Sequence, residues 1–224
     1  GDPLWTPDGR FIYYIADPDG AYKVYRKAVS GIKPPELVFD FGKDVRIWDI
    51  SPDGRHLLYS LVEEGGNIDL WVTALDGSED PRALVQTASI DGAARFSPDG
   101  SWISYWSMET GTGQVYLAPW PEMEWSRRVS TTEGAWQFWL DDGRTLIFQD
   151  GEGQIFSSTI EGEGENVKIG APVSLFTHGT MSFDGPAIDV TGDGEKYVGV
   201  GNSETNPPAY FDVILNWSAL LPAR

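Results

Sequence analysis

The sequence predicts an all-β protein assembled from five copies of one four-stranded unit, and three observations predict it. An Asp-Gly pair recurs in the same setting at Asp8-Gly9, Asp53-Gly54, Asp99-Gly100, Asp142-Gly143 and Asp193-Gly194, with spacings of 45, 46, 43 and 51 residues. Large apolar residues stand four positions before each Gly (Trp5, Ile50, Phe96, Trp139, Val190) and three positions after it (Ile12, Leu57, Ile103, Leu146, Tyr197). The composition agrees, because 26 Gly, 15 Pro and 13% aromatic residues suit a chain that turns often and fills sheet interfaces.

Each Asp-Gly pair reads as a tight hairpin turn. Pro7, Pro52 and Pro98 preset φ at the first turn position, Asp supplies a side-chain acceptor, and Gly supplies positive φ. The strand before the turn is short, over Pro3–Thr6, Trp48–Ser51 and Ala94–Ser97. The strand after it runs apolar or alternates, over Phe11–Ala16, His56–Leu61, Trp102–Ser107 and Thr145–Gln149. An aromatic residue recurs five positions after the Gly in Tyr14, Tyr59, Tyr105 and Phe148, and the last copy drifts to Gly199.

A third strand is predicted over Lys23–Val29, Asp69–Leu75, Gln114–Pro119, Gln154–Ile160 and Tyr210–Trp217, each rich in β-branched or aromatic residues. Weaker fourth strands fit Glu36–Asp40, Arg82–Val85, Ser126–Ser130 and Val173–Phe176. No stretch of helical period competes with them. Four strands in about 45 residues, repeated, describe the blades of a β-propeller, since one such sheet buries both faces only when neighbours stack against it radially. The whole of residues 1–224 then forms one propeller domain with repeats near 1–45, 46–91, 92–134, 135–184 and 185–224. The ten Trp and nine Tyr are accounted for mainly as filling between blades.

The stretches Leu4-Trp5-Thr6-Pro7-Asp8-Gly9-Arg10, Ile50-Ser51-Pro52-Asp53-Gly54-Arg55 and Phe96-Ser97-Pro98-Asp99-Gly100-Ser101 resemble the aromatic-Ser-Pro-Asp-Gly-basic repeat of TolB-like β-propellers. The fourth copy has Leu140-Asp141 in place of Ser-Pro, and the fifth reads Thr191-Gly192-Asp193-Gly194-Glu195. The ending Phe211-Asp212-Val213-Ile214-Leu215-Asn216-Trp217 resembles the C-terminus of bacterial proteins in which such a propeller follows a kinase or DNA-binding module and a membrane-spanning helix. That resemblance implies an extracytoplasmic or periplasmic sensor or protein-interaction domain. The repeat itself specifies fold, not activity.

Sixteen basic against 34 acidic side chains give a net charge of −18, which repels nucleic acid and anionic lipid alike. The acids are scattered through turns, which is the pattern of a solvated surface. No apolar run approaches the length of a membrane-spanning helix, and the absence of Cys excludes disulfides, thiol catalysis and Cys-ligated zinc. A protein or peptide is the expected partner, with a glycan as the alternative. Counting strands leaves the first blade with nothing before its first strand and the fifth with only Ser218–Arg224 after its third. The expectation is therefore a piece of a longer chain, or open blade edges that pair between copies in a homo-oligomer.

Loops entering the first strands gather at a propeller's axis, which nominates Arg46, Arg95, Trp136, Gln137 and Asp189 as binding residues. Two converging guanidiniums, Arg46 and Arg95, would hold a carboxylate or phosphate, whereas pairing with Asp44, Asp49 or Asp91 would make them structural. The longest inter-blade insertion, Thr177–Pro186, adds His178. His56 is the chain's other histidine, so a multi-histidine metal centre is excluded.

No cofactor is expected. The Asp17-Pro18-Asp19-Gly20 and Asp141-Asp142-Gly143 turns offer oxygen ligands for Ca²⁺ without the spacing of a calcium loop, and turn chemistry already accounts for them. No Gly-x-Ser-x-Gly elbow occurs. The enzyme alternative is a glycan-active hydrolase with Asp2, Asp49 and Asp189 converging on a central pocket. The primary expectation is a binding module with no catalytic residue of its own.

Overall fold

The Ser-Pro-Asp-Gly turns set the architecture. In the second copy the Ser51 hydroxyl donates to Asp53 Oδ1 at 2.6 Å and accepts from the His56 N–H at 2.9 Å, while Asp53 Oδ1 accepts from the Arg55 N–H at 3.0 Å. Gly54, at φ 73°, closes the turn by donating its N–H to the Ser51 carbonyl at 2.8 Å. Ser97 and Asp99 repeat the same bonds in the third copy, and Thr6 and Asp8 repeat their core in the first. Every such turn folds the chain back on itself as an antiparallel pair.

The structure, a computed structural model, describes residues 3–18, 20, 22–177, 188–194 and 197–199. Blade 1 is the meander β1 (Leu4–Trp5), β2 (Phe11–Ala16), β3 (Lys23–Ala28) and β4 (Glu36–Phe39). Blade 2 is β5 (Val45–Ile50), β6 (His56–Val62), β7 (Ile68–Ala74) and β8 (Arg82–Val85). Blade 3 is β9 (Asp91–Phe96), β10 (Trp102–Ser107), β11 (Gln114–Pro119) and β12 (Arg127–Arg128).

Blade 4 is β13 (Ala135–Trp139), β14 (Thr145–Gln149) and β15 (Gln154–Glu161), with two short segments on its outer edge, β16 (Lys168–Ile169) and β17 (Val173–Thr177). The hairpin β18 (Ile188–Val190) and β19 (Tyr197–Gly199) carries the fifth Asp-Gly turn. The predicted strand Tyr210–Trp217 lies outside the described residues.

Four strand assignments need correction. The inner strands of blades 2 and 3 begin three residues earlier than the apolar pattern suggested, because a bulge interrupts their alternation. The outer strand of blade 3 is only Arg127–Arg128, because the next two N–H groups, of Val129 and Ser130, both turn to the Val115 carbonyl. The outer edge of blade 4 is shared by two segments where one was predicted. Between them the Gly170 N–H bonds to the Thr159 carbonyl at 2.8 Å, and a Cβ on Gly170 would meet the Thr159 hydroxyl.

The core lies between blades, not within them. Tyr13 and Val24 of blade 1 pack on Ile50, Leu57 and Tyr59 of blade 2. Leu58, Leu70 and Val72 of blade 2 pack on Phe96, Ile103 and Tyr105 of blade 3, and Val115 and Leu117 of blade 3 pack on Leu146, Phe148 and Ile160 of blade 4. Leu57, Ile103 and Leu146 share one place in the repeat and are fully buried, each contributing about 1.5–3 kcal/mol. The matching face of blade 1 looks outward among the described residues: Trp5 is 57% exposed where Ile50 and Phe96 are 6% and 5%.

Candidate functional site

The inner strands β5, β9 and β13 each carry a bulge facing the axis. The register slips where Ile47-Trp48 oppose Tyr59, where Ala93-Ala94 oppose Tyr105, and where Trp136-Gln137 oppose Phe148. Ala93 and Trp136 take φ of 48° and 50°, a left-handed conformation that costs a side-chain-bearing residue about 1–3 kcal/mol. Each bulge turns a carbonyl or side chain toward the neighbouring blade.

The blades exploit this. A guanidinium N–H of Arg95 in blade 3 donates to the bulge carbonyl of Trp48 in blade 2, and the Gln137 amide of blade 4 donates to the bulge carbonyl of Ala93 in blade 3. Asp49 accepts the Phe96 N–H across the blade 2–3 joint and its neighbour's Ile50 N–H, both at 2.9 Å. Burial holds the Asp49 carboxyl above its ordinary value, outweighing the Arg95 guanidinium and the two N–H groups that pull it down.

Register fixes which residues share a level. Leu4, Asp49, Arg95 and Phe138 each stand four residues before the turn Asp and pair with Tyr13, Leu58, Ser104 and Ile147, which each stand four after the turn Gly. Asp189 holds the same backbone register against Val198. This ring divides the axis into two spaces. Toward the interior, Leu4, Trp48, Arg95, Trp136 and Gln137 enclose a cavity of about 20 Å³, room for about one water.

On the Asp-Gly side the axis opens into a mouth of about 450 Å³, walled by Asp49, Arg95, Phe138, Trp139 and Asp141. Its rim is the residue before each turn Asp: Pro52, Pro98, Asp141 and Gly192. The rim is therefore apolar in blades 2 and 3 and acidic in blade 4. A larger cleft of about 730 Å³ lies between the turn ends of blades 3 and 4, with Trp120, Arg144 and Glu161 on its walls, and includes no inner-strand residue.

Of the residues nominated from sequence, Arg95, Trp136 and Gln137 line the axis. Arg46 does not join them: it is exposed near the far end of β5 and lines neither the mouth nor the inner cavity. The two arginines are not brought together. Arg95 bonds to a main-chain carbonyl instead of a carboxylate, and Asp91 accepts the N–H and hydroxyl of Thr87 through Oδ2. Asp2, His178 and the side chain of Asp189 lie outside the described residues.

Of the carboxylates proposed as calcium ligands, Asp17 accepts from the Gly20 N–H and Asp142 from those of Arg144 and Thr145, while Asp19 lies outside the described residues. Sequence reasoning missed Trp139 and Asp141 as mouth residues. The signal for Asp141 was visible, since it replaces the Pro of the repeat in the fourth copy.

No family model matches the chain. Over 140 residues it is 26% identical to the Bacillus subtilis (strain 168) protein named Uncharacterized peptidase YuxL, a match covering 46% of this chain and about a fifth (21%) of that protein's length. Among solved structures it is similar to TolB from Acinetobacter baumannii, with a TM-score of 0.66 and 20% identity over 90% of this chain and 48% of the other. A TolB structure from Agrobacterium tumefaciens gives 0.64 and 20%, covering 89% and 74%. An oligogalacturonate lyase in complex with manganese gives 0.63 and 15%, covering 92% and 59%. The radial blades, the repeated turn and this likeness across nine-tenths of the chain together give the protein the TolB-like β-propeller fold.

Proposed function

We propose that this propeller is a recognition module without catalysis of its own, and that its ligand, a protein or peptide, seats in the axial mouth. The observation that carries this reading is the narrowing of the axis, from about 450 Å³ at the mouth to about 20 Å³ behind the Arg95 ring. A ligand is then held at the surface against Trp139 and the prolines, as recognition faces are, instead of being enclosed as small-molecule substrates are. The Asp49 carboxylate is committed to two backbone N–H groups, which suits a strut better than a base.

Peptides selected from a displayed library on the immobilised protein test this. Binding of the selected peptides is expected to fall about tenfold or more on Trp139→Ala or Asp141→Arg. Peptides indifferent to both changes would place recognition elsewhere.

A second reading, a glycan-active hydrolase, is favoured by one observation: Asp49 has the raised carboxyl of a general acid and shares the mouth with Asp141. Release of reducing sugar from a panel of polysaccharides, abolished by Asp49→Asn, would establish it. An extracytoplasmic location and a single domain of five repeats over residues 1–224 belong to the primary reading. So does pairing of copies through the outward face of blade 1 around Trp5, tested by light scattering at several concentrations with Trp5→Asp as the control.

A further inference from the structure

We infer that Arg95 is the anchor of an anion subsite at the base of the mouth, and that it takes a carboxylate of the bound peptide. This rests on the mouth as the ligand face. Arg95 is the only cationic side chain among the described residues lining the mouth or the inner cavity, and it is shared by both. It is half-buried and donates to one main-chain carbonyl, that of Trp48. It makes no ion pair with a described carboxylate, although other cations in this acidic chain do, as in Lys23 with Asp40, Arg26 with Glu36 and Lys43 with Glu63.

The neighbouring acids do not take its place. Asp49 lies near enough to feel the guanidinium, but its oxygens accept from Phe96 and Ile50, and burial favours its neutral form. The Asp141 carboxylate sits against the Gly192 backbone, where a Cβ would collide with it. A guanidinium has five N–H donors in one plane, so four remain for a planar anion with two oxygens, which a carboxylate matches.

The mouth supplies the rest of the site. Phe138 and Trp139 wall it beside Arg95 and give apolar contact to whatever carries the carboxylate. Below, Gln137 is 2% exposed and its Oε1 has no hydrogen-bond partner while lining the one-water cavity. A water there would donate one hydrogen to Gln137 Oε1 and the other to the carboxylate. Among the described residues the funnel dead-ends at this level, so the group that enters is the end of a chain or the end of a side chain.

The test uses N-acetyl-phenylalanine, its amide, N-acetyl-glutamate α-amide and galacturonate, titrated against the whole chain while the Arg side-chain N–H and Trp indole signals are followed by NMR. The expected result is saturable perturbation of Arg95 and Trp139 by N-acetyl-phenylalanine and about tenfold weaker binding of its amide. Arg95→Gln is expected to reproduce that loss, Arg95→Lys to recover part of it, and Arg46→Gln to leave binding unchanged. Binding by the glutamate α-amide instead assigns the carboxylate to a side chain; binding by galacturonate alone overturns the peptide assignment.

Should Arg95→Gln fail to fold, the acid–amide comparison on the unaltered protein decides alone. Equal binding of acid and amide, or no saturable binding of either, overturns the subsite. If library peptides then still lose affinity on Trp139→Ala, the mouth stands and only the carboxylate anchor falls.

Discussion

The Thr145 hydroxyl donates to Asp142 Oδ2 at 2.7 Å, doing in blade 4 what Ser51 and Ser97 do for Asp53 and Asp99 at 2.6 Å in blades 2 and 3. The hydroxyl comes from the other side of the turn, three residues after the Asp instead of two before it. Blade 4 thus keeps its turn with Leu140 in place of the Ser, and Asp141, in place of the Pro, joins the mouth. Ser97→Ala is expected to destabilise by about 1–3 kcal/mol, because it leaves the buried Trp102 N–H unpaired. Thr145→Val should cost less, since its bonds are exposed. Urea unfolding of the two variants checks the order, and equal losses would refute it.

Gly92 lets two blades touch. A Cβ there would lie 2.9 Å from the Trp48 ring and 3.2 Å from Ser60 Oγ, which accepts the Trp48 indole N–H at 2.6 Å and donates to the Asp91 carbonyl at 3.0 Å. Gly92→Ala is expected to cost about 1–3 kcal/mol through overpacking and to disturb the Trp48 indole signal. Gly100→Ala meets nothing within 4 Å but must hold φ 72°, so its cost of about 1–2 kcal/mol should come without any change at a tryptophan.

The turn acids and the axial acid respond to pH in opposite senses. Asp53 is held below its ordinary value chiefly by the Ser51 hydroxyl. At Asp99 and Asp142 partial burial raises the carboxyl, but hydrogen bonds from Ser97 and Ser101, and from Arg144 and Thr145, outweigh it. Their contribution is complete above the unfolded carboxylate value and is lost as pH falls through the lower native values. Asp49, raised by burial, contributes most below its unfolded value and loses that as pH rises through its native one. Asp99→Asn should therefore flatten the acid limb of a stability–pH curve, and Asp49→Asn should remove a loss of stability that sets in as pH rises from the unfolded carboxylate value through the native one. Tyr105, pushed up to about 12 by burial, adds a loss only at strongly alkaline pH.

Arg127 ties the loop after β15 to blade 3. Its guanidinium stacks on Trp125 at 4.7 Å and donates to the carbonyls of Val167 and Glu165, both at 2.9 Å. Arg127→Ala should speed amide exchange at Asn166 and Val167, whose N–H groups close that short turn, with little change in β10. Unchanged exchange there would mean that the burial of Val167 alone holds the loop.

The repeat was legible because each of its marks is local. A Ser or Thr, an Asp and a Gly make one turn, and the apolar residues on either side of it face the joint between blades. What escaped is set by neighbours. The bulges at Trp48, Ala93 and Trp136 break the alternation from which strand starts are read, and Trp136 carries no sequence sign of its positive φ. The separation of Arg46 from Arg95 follows from register, seven residues before one turn Asp against four before another, and could have been counted. The two segments beside β15 depend on how a loop returns to an edge, which no periodicity encodes.

The joints between blades are keyed. Near the axis Arg95 and Gln137 donate back to the blade that precedes them, while at the periphery Arg82 donates to the Pro121 carbonyl and Arg127 to that of Val167, each in the blade that follows. Blades of one repeat family are thus not interchangeable staves. Exchanging blade 2 for blade 3 would preserve every turn, most of the apolar filling and a peripheral arginine in each place, since Arg82 and Arg127 share one register position, yet it would carry Arg95 away from the Trp48 carbonyl. Order around the ring is written in these few polar groups, and the repeat that builds the blades is silent about it.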